Sequence, residues 1–229
     1  MSALGADHRF TGLQFHFHHG SEHTVDGKRH DLEMHTVHQA SETKGGVGFA
    51  AMGIIFSVND ANIELTSDQQ KVIDDFFDSL QWDQTSTNPK VAEVPYGKLM
   101  MMVNMRERWV YKGSVTTPPC ATYVYWNVLT TIYPIKQSVL DNFKKQLART
   151  KDLEKYGNYR LIQKLDKQDP KILKIRDPKP PAIFLVLFIV FAVLTLIFIA
   201  TTLKFYSKAN GPSTAVANTA AEPGKVEMM

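Results

Sequence analysis

Cysteine is almost absent from this 229-residue chain, with Cys120 its single example, and histidine is absent from everything beyond residue 38. The first absence excludes a closed, cysteine-rich structural metal site. The second confines any imidazole chemistry to one end of the chain. No basic run interleaved with aromatics occurs and the formal charge is only +3, so the chain carries no nucleic-acid footprint. Internal repeats are missing too. At 44% hydrophobic residues, the composition is that of an ordinary globular domain.

What is present is concentrated. All eight histidines fall within the first 38 residues, most of them in Gln14-Phe-His16-Phe-His18-His19-Gly-Ser-Glu22-His23 and Glu33-Met-His35-Thr-Val-His38. On a strand, residues two apart share a face, so Gln14, His16 and His18 form one polar row while Phe15 and Phe17 face the other way. Asp26-Gly27 is a tight-turn dipeptide, and after it Glu33, His35 and Val37 share a face of a second alternating segment. Antiparallel pairing of the two segments brings three imidazoles together. Such a set leaves the fourth position of a tetrahedral zinc ion for water, which is the catalytic rather than the structural arrangement. Gln14 and Glu33 are placed to hold the rings from behind. His38 has the wrong parity for the cluster, and His8, His19 and His30 are read as surface or packing residues. Met100, Met101, Met102 and Met105 have no cysteine or histidine beside them and are read as a packed apolar segment, not a soft-metal site.

These residues carry a resemblance. The two histidine segments, with Gly20-Ser-Glu22-His23-Thr-Val-Asp26 between them, resemble the zinc segment of the α-class carbonic anhydrases. A second signature of that family follows in order at Trp109-Val-Tyr111-Lys-Gly113-Ser-Val-Thr116-Thr117-Pro118-Pro119, continued by Val124 and Trp126. Asn158-Tyr-Arg160 and Gln163 echo its last segment. The resemblance implies His16, His18 and His35 as ligands of Zn2+, supported by Gln14 and Glu33, with Thr116 and Glu22 as a catalytic pair that orients a zinc-activated water. It further implies Thr117 on the substrate side, an apolar wall of Val37, Ala51, Val115, Val124 and Trp126, and His23 with Tyr111 as a supporting hydrogen-bonded pair. His19 and Gln39 stand where the family commonly has tryptophan.

The family has roughly a third of its domain before the zinc strand, including a histidine that shuttles protons, whereas thirteen residues precede Gln14 here. The expectation is therefore an N-terminally truncated domain with no assignable shuttle, which folds poorly as it stands. Cys120 directly follows Pro119, where secreted and membrane-bound members carry half of a disulfide whose partner lies in the N-terminal region. That placement favours an oxidising compartment.

The expected fold is mostly β with peripheral helices (α+β), a large central, mostly antiparallel twisted sheet of the α-carbonic anhydrase type, followed by one C-terminal transmembrane helix. Gly48–Val58 and Ala121–Tyr133 read as strands. Ser67-Asp-Gln-Gln70 reads as a capping box before Val72, Ile73, Phe76, Phe77 and Leu80, and Ser138 as the cap of a helix presenting Val139, Leu140, Phe143 and Leu147. The domain plan is a catalytic domain over 1–169, a basic proline-containing linker over 170–182, a transmembrane helix over 183–203 and a short tail over 204–229. Ile183–Leu203, about 21 uncharged apolar residues, is long enough to cross a hydrocarbon core. The catalytic domain is expected outside the cell or in a lumen. Lys171, Lys174, Arg176 and Lys179 before the span outnumber Lys204 and Lys208 after it, which favours the alternative of a tail-anchored, cytosol-facing domain.

The expected activity is zinc-dependent, reversible hydration of carbon dioxide to bicarbonate and a proton, with the lipid bilayer as the other partner. The alternative is a catalytically silent carbonic anhydrase-like binding or assembly module. Retention of His16, His18, His35, Glu22 and Thr116 favours the enzyme.

Overall fold

Strict alternation of phenylalanine and histidine produces a strand with two different faces. In the computed structural model, which describes residues 9–41, 48–85, 90–163, 172–176 and 182–209, that strand is β1 (Phe10–His19). It leads through a short ladder, β2 (Thr24–Val25) and β3 (Lys28–Arg29), into β4 (Leu32–Ala40). Asp26 and Gly27 both adopt positive φ, 51° and 77°, the pairing a tight two-residue hairpin turn needs. β5 (Phe49–Ser57), β6 (Glu107–Ser114), β7 (Thr122–Pro134) and β8 (Leu173–Arg176) complete a six-stranded sheet in the order β1-β4-β5-β7-β6-β8. Among the described residues, only the β5·β7 pairing is parallel.

One face of the sheet is covered by helices. Phe17, Leu32, Met34, Ile54, Phe56, Leu129 and Tyr133 form a core with α1 (Ser67–Ser79) and α3 (Gln137–Leu147), which contribute Ile73, Phe76 and Phe77, and Val139, Leu140, Phe143 and Leu147. This is the stripe expected of α3; of that expected of α1, Ile73, Phe76, Phe77 and the C-cap residue Leu80 are buried, while Val72 is half-buried. α2 (Tyr96–Met102) adds Leu99, with Met100 and Met102 packed against the core and Met101 facing solvent; α4 (Lys151–Tyr156) follows α3. The opposite face bears the histidines and a smaller apolar cluster.

The structure departs from the sequence reading in several places. The capping box of α1 sits one residue earlier: Thr66 is the N-cap, its hydroxyl accepting from Gln69 N–H at 3.3 Å while Gln69 Oε1 accepts from Thr66 N–H at 3.0 Å. Ser138 lies inside α3, whose N-cap is Lys136. β8 falls within the segment expected to be linker and pairs with β6, Arg176 opposite Glu107, so the first compact unit runs to Asp177. Four residues alternating with lysine and arginine are too few to separate from a basic linker by pattern alone.

The second unit, Pro178–Met229, contains α5 (Ala182–Ala209). Val186–Ser207 is 22 residues of helix long and apolar enough to cross a membrane, about 33 Å at the α-helical rise. Its three threonines bond within the helix, the Thr195 hydroxyl donating to the Phe191 carbonyl and those of Thr201 and Thr202 to Phe198.

Candidate metal centre

The β1·β4 register sets His16 opposite His35 and His18 opposite Glu33. All four side chains project from one face, and the three rings approach with centroids 5.0 Å (His16–His18), 5.3 Å (His16–His35) and 4.5 Å (His18–His35) apart. One nitrogen from each ring lies within 4.8 Å of the others. Burial, reinforced by the neighbouring His35 and His18, pushes the pKa of His16 down to about 4, and burial followed by His35 lowers that of His18. Both are neutral near pH 7, the form in which imidazole donates a lone pair to a metal.

Hydrogen bonds choose which nitrogen is free. Burial alone would raise the carboxyl of Glu33, which is fully enclosed, but His23 and then His35 hold it well below the usual carboxylate range. As a carboxylate it can only accept. The His35 Nε2–H therefore donates to Glu33 Oε1 at 3.0 Å, leaving Nδ1 as the lone-pair atom. His18 Nδ1–H donates to the carbonyl of Asn158 at 2.6 Å, and its Nε2 is buried with no protein partner. His16 Nδ1 is likewise buried and unpartnered. Lone pairs on buried, unprotonated imidazoles facing one another are costly without a shared acceptor. A zinc ion is such an acceptor, and the donor set suits it.

Glu33 is itself held. His23 Nδ1–H donates to Oε1 at 2.6 Å and the His23 backbone N–H to Oε2 at 2.9 Å, while His23 Nε2 lies 2.7 Å from the Tyr111 hydroxyl. Burial would lower the pKa of His23, but the Glu33 charge more than offsets it and raises the value; burial and then the charges of Glu33 and Glu22 keep the Tyr111 phenol protonated. A chain Tyr111–His23–Glu33–His35 thus runs to the cluster. Gly53 lies across from His35 in β5, and any Cβ there would overlap Glu33 Oε1.

Two anticipated contacts are not formed. Gln14 is exposed and makes no hydrogen bond to His16 among the described residues; a bulge between Gly12 and Gln14 alters the strand beside it. Glu22 does reach the cluster, Oε1 lying 3.6 Å from His18 Nδ1 and Oε2 3.8 Å from His35 Nδ1, but it does not bond Thr116. Its Oε1 accepts from the Arg160 backbone N–H at 2.6 Å, and Oε2 is buried and unpartnered. The Arg160 guanidinium spans to Ser114 Oγ at 3.1 Å and Gln163 Oε1 at 3.2 Å.

The apolar wall forms beside the cluster. Ala51, Val124 and Trp126 are buried together, Val115 packs against them, and Val37 is the neighbour of Ala51 in register. The Trp126 ring stands 4.6 Å from His35. Thr116 is half-buried, whereas Thr117 is exposed. His30 is buried away from the cluster, His38 abuts Gly12, His19 donates to the Asp31 carbonyl at 3.2 Å, and His8 lies outside the described residues. Cys120 is a half-buried free thiol.

Sequence reasoning overlooked the part played by Asn158. Besides holding His18, its side chain accepts from the His19 N–H at 2.8 Å and donates to the Phe17 carbonyl at 2.7 Å, pinning the end of β1. The only signal was its place in the last segment of the resemblance.

A family model described as eukaryotic-type carbonic anhydrase matches residues 1–169. The chain is 35% identical over 137 residues to a carbonic anhydrase of Nostoc sp., covering 58% of this chain and 45% of that protein. It is 34% identical over 134 residues to human carbonic anhydrase 3, covering 51% and 46%. In those matches it spans just under half of each relative. Among solved structures, it resembles the α-carbonic anhydrase of Thermovibrio ammonificans, solved in complex with the inhibitor sulfanilamide, at a TM-score of 0.52 and 28% identity over 72% of this chain and 63% of that one. It also superposes on dioscorin, solved with ascorbate, with a TM-score of 0.52 over 76% of this chain and 65% of that one; at 22% identity, that likeness is one of fold alone.

Proposed function

The chain belongs to the eukaryotic-type carbonic anhydrase family, and from that membership we propose that it is a zinc enzyme that reversibly hydrates carbon dioxide to bicarbonate and a proton, anchored in a membrane by α5. The observation that carries this reading is the convergence of three imidazoles, two of which donate outward, His18 to the Asn158 carbonyl and His35 to Glu33, leaving His18 Nε2 and His35 Nδ1 as lone-pair atoms within the cluster. His16, His18 and His35 would hold the ion. Bound there, zinc supplies the Lewis acidity that makes water a nucleophile near neutral pH, chemistry for which carbonic anhydrases are themselves the standard example.

The chain's own groups supply the rest. Glu33, held by His23, which Tyr111 steadies in turn, fixes the angle and basicity of the His35 ring. Ala51, Val124 and Trp126 exclude water and offer a nonpolar seat suited to carbon dioxide. The Thr116 hydroxyl would orient the attacking oxygen once its own proton is committed to Glu22 Oε2, a buried acceptor that has no partner at present.

That open Thr116–Glu22 contact, with Gln14 turned to solvent, is the observation favouring a second reading, a silent carbonic anhydrase-like binding module. Zinc content and stopped-flow carbon dioxide hydration of the full chain in nanodiscs separate the two. The enzyme binds about one zinc and loses hydration on chelation. Zinc without turnover supports the silent module, and no zinc with no turnover removes the enzymatic reading.

A further inference from the structure

Arg29 is half-buried, its guanidinium stacked 4.3 Å over the Tyr159 ring and donating to the Ser21 carbonyl, and no carboxylate neutralises it among the described residues. It lines a cavity of about 590 Å³, within the ordinary range for small-molecule sites. Lys144 and Lys145 from the last turn of α3 and Lys155 from α4 line the same hollow, against one acid, Glu154. These three lysines form no ion pair among the described residues, whereas Lys28, Lys71 and Lys136 elsewhere pair with Asp60, Asp75 and Asp74. Lysines at a helix C-terminus are favourable in themselves. That accounts for Lys144 and Lys145 on α3 and for Lys155 in the last turn of α4, where it also stands 4.8 Å over the Tyr156 ring, but not for Arg29 or for the convergence of cations from three segments on one hollow. Gathered cations of this kind focus a positive potential into a concave wall.

We propose that this hollow, lined by Arg29, Lys144, Lys145 and Lys155, binds a phosphate-bearing anion, either a soluble phosphate compound or a lipid headgroup. An arginine fork and several ammonium groups match the multiple charges and acceptor oxygens of phosphate better than those of a single carboxylate. The site involves none of the imidazoles of the metal cluster and does not depend on the enzymatic reading.

The test titrates the full chain, in phosphatidylcholine nanodiscs, with inorganic pyrophosphate by calorimetry. Saturable binding is expected, weakened roughly tenfold or more by Lys144→Glu/Lys145→Glu and by Lys155→Glu, and unchanged by Lys98→Glu on α2, which does not line the hollow. Nanodiscs doped with a phosphoinositide identify the source. Competition that lowers the apparent pyrophosphate affinity assigns the site to a lipid headgroup, and equal affinity assigns it to a soluble phosphate. Absence of saturable binding, indifference to the α3 and α4 charge reversals as expected of binding at the histidine cluster, or equal loss in Lys98→Glu would overturn the proposal.

Discussion

Two imidazoles of the cluster are held by partners at different distances along the chain, His18 by Asn158 and His35 by Glu33, while His16 Nδ1 has none among the described residues, so single substitutions should separate their contributions. His35→Ala removes one of three ligands and should abolish stoichiometric zinc binding and hydration together; unchanged zinc content by metal analysis would end the assignment. Thr116→Ala should retain zinc and slow hydration by about 10²-fold, because a lost orienting contact acts on the transition state. Equal rates would make Thr116 a turn residue. Asn158→Ala keeps the carbonyl that holds His18 but removes both side-chain bonds to β1, and should cost about 1–3 kcal/mol in denaturant unfolding. The metal-free protein should also be acid-sensitive. His16 titrates near 4 when folded and near 6.5 when unfolded, so the unfolded chain binds more protons between those values. The His16 contribution is then fully present above pH 6.5 and is lost as pH drops from 6.5 towards 4. A flat unfolding free energy across that window, measured under chelator, would contradict the burial of His16.

Among the elements, β5 governs the site from beneath. The carboxylate of Glu33 occupies the space a Cβ at position 53 would take, so Gly53→Ala should push Glu33 off His35, destabilise the fold by about 1–3 kcal/mol and weaken zinc retention. A variant with unchanged melting temperature and zinc affinity would show that the carboxylate has other space. The capping box of α1 is remote from the histidines. Thr66→Ala should therefore lower stability by about 1 kcal/mol with zinc binding intact, a control separating general destabilisation from damage to the site.

For the whole molecule, the open question is orientation. The proposal is that α5 crosses the membrane once, with the catalytic unit on the exoplasmic side. Cys120 suits a compartment where disulfides persist, while the excess of lysine and arginine before the span favours the reverse. Protease protection on sealed vesicles, with tags before Met1 and after Met229, should show the N-terminal tag and catalytic unit shielded in the lumen. Digestion of that unit from the cytosolic side would replace this topology with the tail-anchored one.

The sequence by itself determined which side chains share a face. Alternation in Gln14–His18 and Glu33–Val37 put the histidines on one side and Phe15 and Phe17 on the other, the 3.6-residue stripes of α1 and α3 named their buried residues, and the apolar run of α5 was unmistakable, because periodicity is a local property of the chain. β6 and β8 escaped because short strands carrying Glu107, Arg108, Lys112, Lys174 and Arg176 lack that contrast. The tertiary structure alone decided the chemistry of each face. The Asn158 carbonyl reaches His18 from 140 residues away and Tyr111 reaches His23 from 88, while Arg160 takes one oxygen of the Glu22 carboxylate and leaves the other, Oε2, buried and without a partner among the described residues. Which nitrogen is free, which carboxylate oxygen is satisfied and which lysines share a hollow depend on contacts between distant segments, and no local pattern records them.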